Sequence, residues 1–264
     1  MRTKITGRFV IGFDGSDHVV YEQGEVVYER DRITFVGHGY LGDVDETIDA
    51  GDAIVGPGFI DLDALADVDH AIIDTWQPRD LARGLQWSED YALHRRHDVF
   101  GREDEALQRR YALVQLVLNG VTTAMPIAAE THKGWAETYE QLADVVEIAG
   151  ALGLRMYLGP SYRSGVNVVR PDGGEAVLWD EPEGDKGLEG AVRFVERFDG
   201  AFDGRIRGCL LPCRIETCTL DLLRATKRRS DELGCHVRIH AAQGAQELRV
   251  LRERHDRAPI ELLH

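Results

Sequence analysis

Carboxylates, imidazoles and thiols are the groups here that could hold a metal or move a proton, and they are unevenly placed. Asp61, Asp63, Asp67, Asp69 and His70 crowd one short stretch. One reading of such a run is a cation site built from carboxylates, and the other is a solvated acidic loop. We take the loop reading for Asp67, Asp69 and His70. Asp61 and Asp63 lie at the end of the apolar run Ile54–Leu62, where a strand would project them from its tip. His240 stands near the end of another apolar run, Val237–Ala241. Cys209, Cys213 and Cys218 are spaced by four and five residues, which fits core packing better than a zinc knuckle. Trp76, Trp87 and Tyr91, with His94 and His97, share a long segment for which pocket lining and plain packing are both open. His132 reads as a surface histidine.

The elements that must position these groups change character near residue 56. Before it, short β-rich runs (Ile5–Phe13, Val19–Tyr21, Glu25–Glu29, Ile33–Val36 and Glu46–Ile48) alternate with turn signals such as Asp14-Gly15, predicting a small antiparallel sheet. After it, strand and helix patterns alternate, as parallel βαβ units do. Strands are expected near Phe59, Thr123, Met156, Cys209 and Val237. Helices are expected over Glu103–Asn119, Trp135–Ala149, Lys186–Phe198, Leu220–Leu233 and Ala245–Arg254, with Val166–Gly184 a polar, Gly-rich loop.

The chain has 264 residues and a formal charge of 31 − 46 = −15, which argues against nucleic acid as a partner. Of the 31 basic residues only Lys4, Lys133, Lys186 and Lys227 are lysine. That bias fits either a halophilic, high-salt cytoplasm or a GC-rich genome that favours Arg codons. No apolar stretch is long enough for a membrane span, and the first residues lack a secretory h-region. The four cysteines do not form a disulfide framework, so a reducing, cytoplasmic setting is expected.

Three motifs in order carry a resemblance. Val55-Gly56-Pro57-Gly58-Phe59-Ile60-Asp61 opens the βα series, Gly120-Val121-Thr122-Thr123 follows its long helix, and Val237-Arg238-Ile239-His240-Ala241-Ala242-Gln243 comes late. Together they resemble the amidohydrolase superfamily, especially its cytosine deaminase and triazine chlorohydrolase branch. The resemblance implies an α/β fold: a small N-terminal β-sandwich-like head (1–56) followed by an incomplete (β/α)8 TIM-type barrel of about five βα units (57–264). It also implies a hydrolase in which a divalent metal, zinc or iron, activates water at the C-terminal ends of the barrel strands.

By that resemblance His240 takes a metal-ligand position on the fifth strand. The first-strand His-x-His pair is replaced: Asp63 stands for the first His, as a possible replacement ligand, and Leu65, which cannot bind metal, for the second. The downstream Glu of the deaminases is Gln243, which can orient a water or substrate but cannot accept a proton. Trp87 lies on a segment that borders the substrate pocket in this branch. From 57 to 264 there are 264 − 57 + 1 = 208 residues, already used by about five βα units, whereas a complete barrel takes ~250. The expectation is therefore an incomplete barrel of strands one to five. The function expected is hydrolysis of a C–N bond, or displacement of a ring substituent, on a small heterocycle. The alternative is a non-catalytic pseudoenzyme or structural subunit. Either would be a homo-oligomer or be completed by a partner chain.

Overall fold

The first strands form because β-branched and aromatic residues recur between turn residues that reverse the chain. The computed structural model describes residues 1–65, 87–127 and 134–263. They fall into two compact units, Met1–Phe59 and Ile60–His264.

In the first unit β1 (Arg2–Phe13) pairs antiparallel with β2 (His18–Glu29), which pairs antiparallel with β3 (Arg32–Gly37). The β1–β2 turn is tied by Asp14, whose Oδ1 accepts the Ser16 and Asp17 amides. Those amide bonds hold its carboxyl below the usual range. The sheet is mixed rather than antiparallel throughout. Both β4 (Glu46–Asp49) and β5 (Ile54–Val55) run parallel to β1. Residues 38–45 carry the chain across the sheet to the other side of β1, where it runs in the same direction. The described head is one five-stranded sheet with Val10 and Val27 buried.

In the second unit β6 (Phe59–Leu65), β8 (Val121–Ile127), β9 (Arg155–Leu158), β13 (Ile206–Pro212) and β14 (His236–Val237) lie side by side in chain order. The pairs β8–β9, β9–β13 and β13–β14 are all parallel. The third strand resumes as β10 (Ser161–Tyr162), also parallel to β13, after a break at Gly159-Pro160. A Cβ on Gly159 would come within 2.0 Å of the Cys209 carbonyl oxygen, so only glycine permits this approach.

After α1 (Glu89–His94), the helices α2 (Arg102–Leu118), α3 (Tyr139–Leu152), α4 (Glu181–Phe198) and α5 (Leu220–Leu233) alternate with these strands. Their apolar faces bury Leu113, Val146, Ala149 and Phe194 together with Met156, Leu158 and Ile206 from the strands. The chain closes with α6 (Ala245–His255) and α7 (Pro259–Leu263).

Two sequence expectations fail locally. The helix expected from Trp135 starts at Tyr139, because Thr138 and Gln141 form a reciprocal capping box that stops it on the N-terminal side. The segment expected to be a loop over Val166–Gly184 holds an antiparallel hairpin, β11 (Gly165–Val169) with β12 (Glu175–Trp179), and the short β7 (Trp87–Ser88) runs parallel to β11. Alternation at Val166, Asn167 and Val168 and the Asp172-Gly173 turn were its signal, diluted by surrounding glycines. Some of those glycines are helical instead. α4 begins at Glu181, capped by Asp180, and a Cβ on Gly187 would meet the Tyr162 Cβ at 2.5 Å, so the helix packs close to the third strand.

Candidate active site at the ends of the barrel strands

His240 is placed by the fifth strand's ladder to the fourth. Its amide donates to the Cys213 carbonyl at 3.2 Å, and its own carbonyl accepts the Ile215 amide at 3.1 Å. The ring follows the backbone: Nδ1 lies 3.0 Å from the same Cys213 oxygen. A carbonyl can only accept, so Nδ1 carries a proton, and in the neutral ring the lone pair is on Nε2. Nε2 faces Asp63 at the first strand's end, with Oδ1 at 3.7 Å. The ring is 18% exposed and the carboxylate 76%. Asp61 does not compete, because its Oδ1 accepts the Asp63 amide at 3.0 Å. Two of the residues singled out from the sequence thus meet across strands one and five.

Gln243 follows in a turn held from behind. The Glu247 carboxylate, 3% exposed, accepts the Ala242 amide at 2.6 Å and the Gln243 amide at 2.8 Å. Ala242 sits at φ 62°, a left-handed conformation that an alanine adopts only under such constraint. Two residues before His240 and just past β14, the Arg238 guanidinium donates to the Met125 and Pro126 carbonyls of β8 at 3.1 and 2.9 Å. It braces strand five against strand two.

Trp87 stands in a stack of indoles and guanidiniums. Arg96 lies 4.0 Å from its ring centroid and 5.1 Å from that of Trp135, and Arg163 lies 5.5 and 5.8 Å from the same two rings. Both arginines also donate to the Trp135 carbonyl. One face of Trp87 is therefore covered by Arg96. Asp67, Asp69, His70, Trp76 and His132 lie outside the described residues. His97 is turned to the Arg95 carbonyl, 2.6 Å from Nδ1.

Beside the fourth strand's end, Asn167 Nδ2 donates to Glu216 Oε1 at 2.9 Å. Burial raises the Glu216 carboxyl above its ordinary range, opposed by that bond. The sequence gave no warning of this pair, whose partners are 49 residues apart. Glu247 had one signal, an acidic residue in the first turn of a helix that follows a candidate ligand. Cys209, Cys213 and Cys218 are buried, and burial pushes the Cys209 and Cys218 thiols up to about 12, away from the thiolate a metal needs.

Among the described residues no group of three His, Cys, Asp or Glu is gathered closely enough to hold a metal. His240 and Asp63 still fit as a pair. A ring nitrogen and a carboxylate oxygen 3.7 Å apart can share one zinc whose bonds to each run ~2.0–2.2 Å. The Nδ1 bond to a backbone carbonyl is the outer support that a ligating histidine ordinarily has.

No protein-family model matches the chain. It is 26% identical over 244 residues to the 5'-deoxyadenosine deaminase of Methanosarcina acetivorans, covering 92% of this chain and 49% of that protein. Its fold matches guanine deaminase from C. acetobutylicum with bound guanine (TM-score 0.72, 14% identity, 100% of this chain and 59% of that one). It also matches atrazine chlorohydrolase from Arthrobacter aurescens complexed with zinc (TM-score 0.70, 18% identity, 99% and 57%). The amidohydrolase-superfamily resemblance read from the three motifs is thus shown over nearly the whole chain. The architecture is mixed α/β, similar in fold to 57–59% of the length of those solved structures. The chain spans about half the length of the relatives it matches. Among the described residues no helix is long and apolar enough to cross a membrane.

Proposed function

We propose that this chain supplies the strand-one and strand-five side of an active site that hydrolyses a C–N bond, or displaces a ring substituent, on a small heterocycle. The observation that carries the reading is the orientation of His240: Nδ1–H donates to Cys213, and Nε2 points at Asp63 3.7 Å away. Those two residues would hold a divalent ion, zinc or iron. When bound, such an ion lowers the pKa of water into the neutral range.

The chain's own residues do the rest. Cys213 fixes the His240 tautomer, and Glu247 holds the turn that presents Gln243. The Gln243 amide orients a water or substrate without taking its proton. The proton must then go to a group that this pair does not provide. The edge of Trp87 left open by Arg96 borders the substrate. Relatives named as deaminases, and a zinc-complexed neighbour named as a chlorohydrolase, support the reaction class.

One observation favours a second reading. Gln243 stands where the resembled deaminases carry Glu, so the chain could serve as a non-catalytic subunit completed by a partner. The test is the tagged protein recovered from its own host with whatever accompanies it, supplied with zinc and assayed for ammonia release from 5'-deoxyadenosine and guanine and chloride release from atrazine. Turnover lost in His240→Ala supports the hydrolase. No turnover, or turnover indifferent to His240→Ala, leaves the subunit reading.

A further inference from the structure

The inserted hairpin grips the helix that follows the candidate site. Glu175 and Trp179 are the first and last residues of β12. The Arg249 guanidinium of α6 donates to the Glu175 carboxylate, in a pair partly open to water. The Arg254 guanidinium of the same helix lies 3.9 Å from the Trp179 ring centroid. Burial lowers the Arg254 guanidinium from its ordinary value, opposed by the Glu181 carboxylate. A cation partly withdrawn from water gains more from an aromatic face than an exposed one does.

The hairpin is itself anchored to the end of strand four. At its base the Asp180 amide donates to the Ser164 carbonyl at 2.7 Å, and the Ser164 amide donates to the Thr217 carbonyl at 3.1 Å. Ser164 Oγ accepts the Thr219 amide at 2.8 Å, and Asn167 on β11 donates to Glu216. Thr217 and Glu216 belong to the turn Ile215–Thr217. Toward α1, Arg170 Nε lies 3.7 Å from the Glu89 carboxylate. α6 is thus fastened to a hydrogen-bonded frame in addition to its covalent link to strand five.

What α6 carries makes this fastening matter. Its N-cap is Gly244, which offers no side chain to the first turn. The residues just before it are held instead by Glu247, whose carboxylate accepts the Ala242 and Gln243 amides. The place of Glu247 follows from the place of the helix. Leu251, 1% exposed, packs it from within, and the two arginines fix it from the hairpin.

We infer that Arg249 and Arg254 are positioning residues: by gripping Glu175 and Trp179 they set α6 and, through Glu247, the turn that presents Gln243. The inference rests on the reading of Gln243 as the residue that orients water or substrate, and adds the side chains that aim it. The insertion after the third strand thereby acts on the loop after the fifth.

The experiment is amide exchange followed by NMR on the full chain, which needs neither metal nor turnover. Arg249→Gln and Trp179→Leu should each speed exchange at Ala242 and Gln243 about two- to fivefold, and the two together about tenfold, while amides of α3 keep the parent's rates. Glu175→Arg should act in the same direction, and adding Arg249→Glu to it should restore the parent's rates, a rescue that a lost side chain alone would not show. In a Glu247→Ala background Arg249→Gln should have no further effect on the two amides, because the link is already cut. The inference is overturned if exchange quickens over Arg249–Arg254 while Ala242 and Gln243 are unmoved, if amides throughout the chain quicken together, if the charge swap restores nothing, or if Arg249→Gln acts equally with and without Glu247. Exchange and turnover are read separately, so an inactive chain with these exchange results would sink the Gln243 chemistry and leave the positioning intact.

Discussion

Removing the Glu247 carboxylate should loosen the turn that follows His240 and little else. Glu247→Ala deletes the acceptor of two amides, at 2.6 Å from Ala242 and 2.8 Å from Gln243. Hydrogen bonds to a charged group are worth ~1.5–3 kcal/mol each. Ala242 and Gln243 are exposed, so water takes over part of the role. That puts the loss at ~2–3 kcal/mol for the pair, from the low end of the range. Glu247→Gln keeps one carbonyl and should lose about half as much. Ala242→Gly should move the other way: a left-handed alanine costs ~1–2 kcal/mol, of which glycine's greater unfolded freedom returns ~0.5–1. Amide exchange followed by NMR reads the turn directly. At ~1.4 kcal/mol per decade, the Ala242 and Gln243 amides should exchange about 30- to 150-fold faster in Glu247→Ala, with amides of α3 unchanged. A change under about threefold would refute the claim that Glu247 holds this turn.

Other consequences are open to measurement. Cys209 and Cys218 have thiols raised from 9.0 to about 12 by burial. Raised groups of this kind stabilise the fold fully below pH 9 and lose that contribution as pH climbs toward 12, so alkaline unfolding should precede thiolate absorbance at 240 nm, and Cys209→Ala with Cys218→Ala should flatten the pH dependence. With a net charge of −15, melting temperature should rise with sodium chloride as the Debye length falls to ~3 Å at 1 M; no dependence would count against the halophilic reading. Pro212, Leu220, Leu223, Val237, Ile239 and Leu262 line an open, largely apolar groove of about 670 Å³ on the outer side of strands four and five. That groove should draw a second copy or a partner chain into an interface above ~2,000 Å²; light scattering at micromolar concentration that shows a monomer with no companion would rule this out.

The order of the five barrel strands was legible because each is an apolar run bounded by glycine or by a helix pattern, and parallel pairing follows from alternation. The hairpin over Gly165–Trp179 was not, because its glycines read as loop whichever element uses them. The parallel direction of β4 and β5 depends on which side of β1 the chain returns to, and alternation is blind to that. His240 and Asp63, which lie 3.7 Å apart, were picked out because the resemblance marks strand ends. The Asn167–Glu216 bond could not be foreseen, since it joins a hairpin strand to a distant turn brought together only by tertiary packing.

The central claim is that His240 and Asp63 are two donors of one metal site, short of the three protein ligands that a catalytic zinc usually takes. The most direct measurement is a zinc titration of the chain, followed through the His240 ring signals in long-range proton–nitrogen spectra. The account predicts an Nδ1–H tautomer before zinc is added, less than stoichiometric zinc as purified, and a saturable shift of Nε2 that is lost in Asp63→Ala. An Nε2–H tautomer, a ring that ignores zinc, or a response unchanged in Asp63→Ala would contradict it.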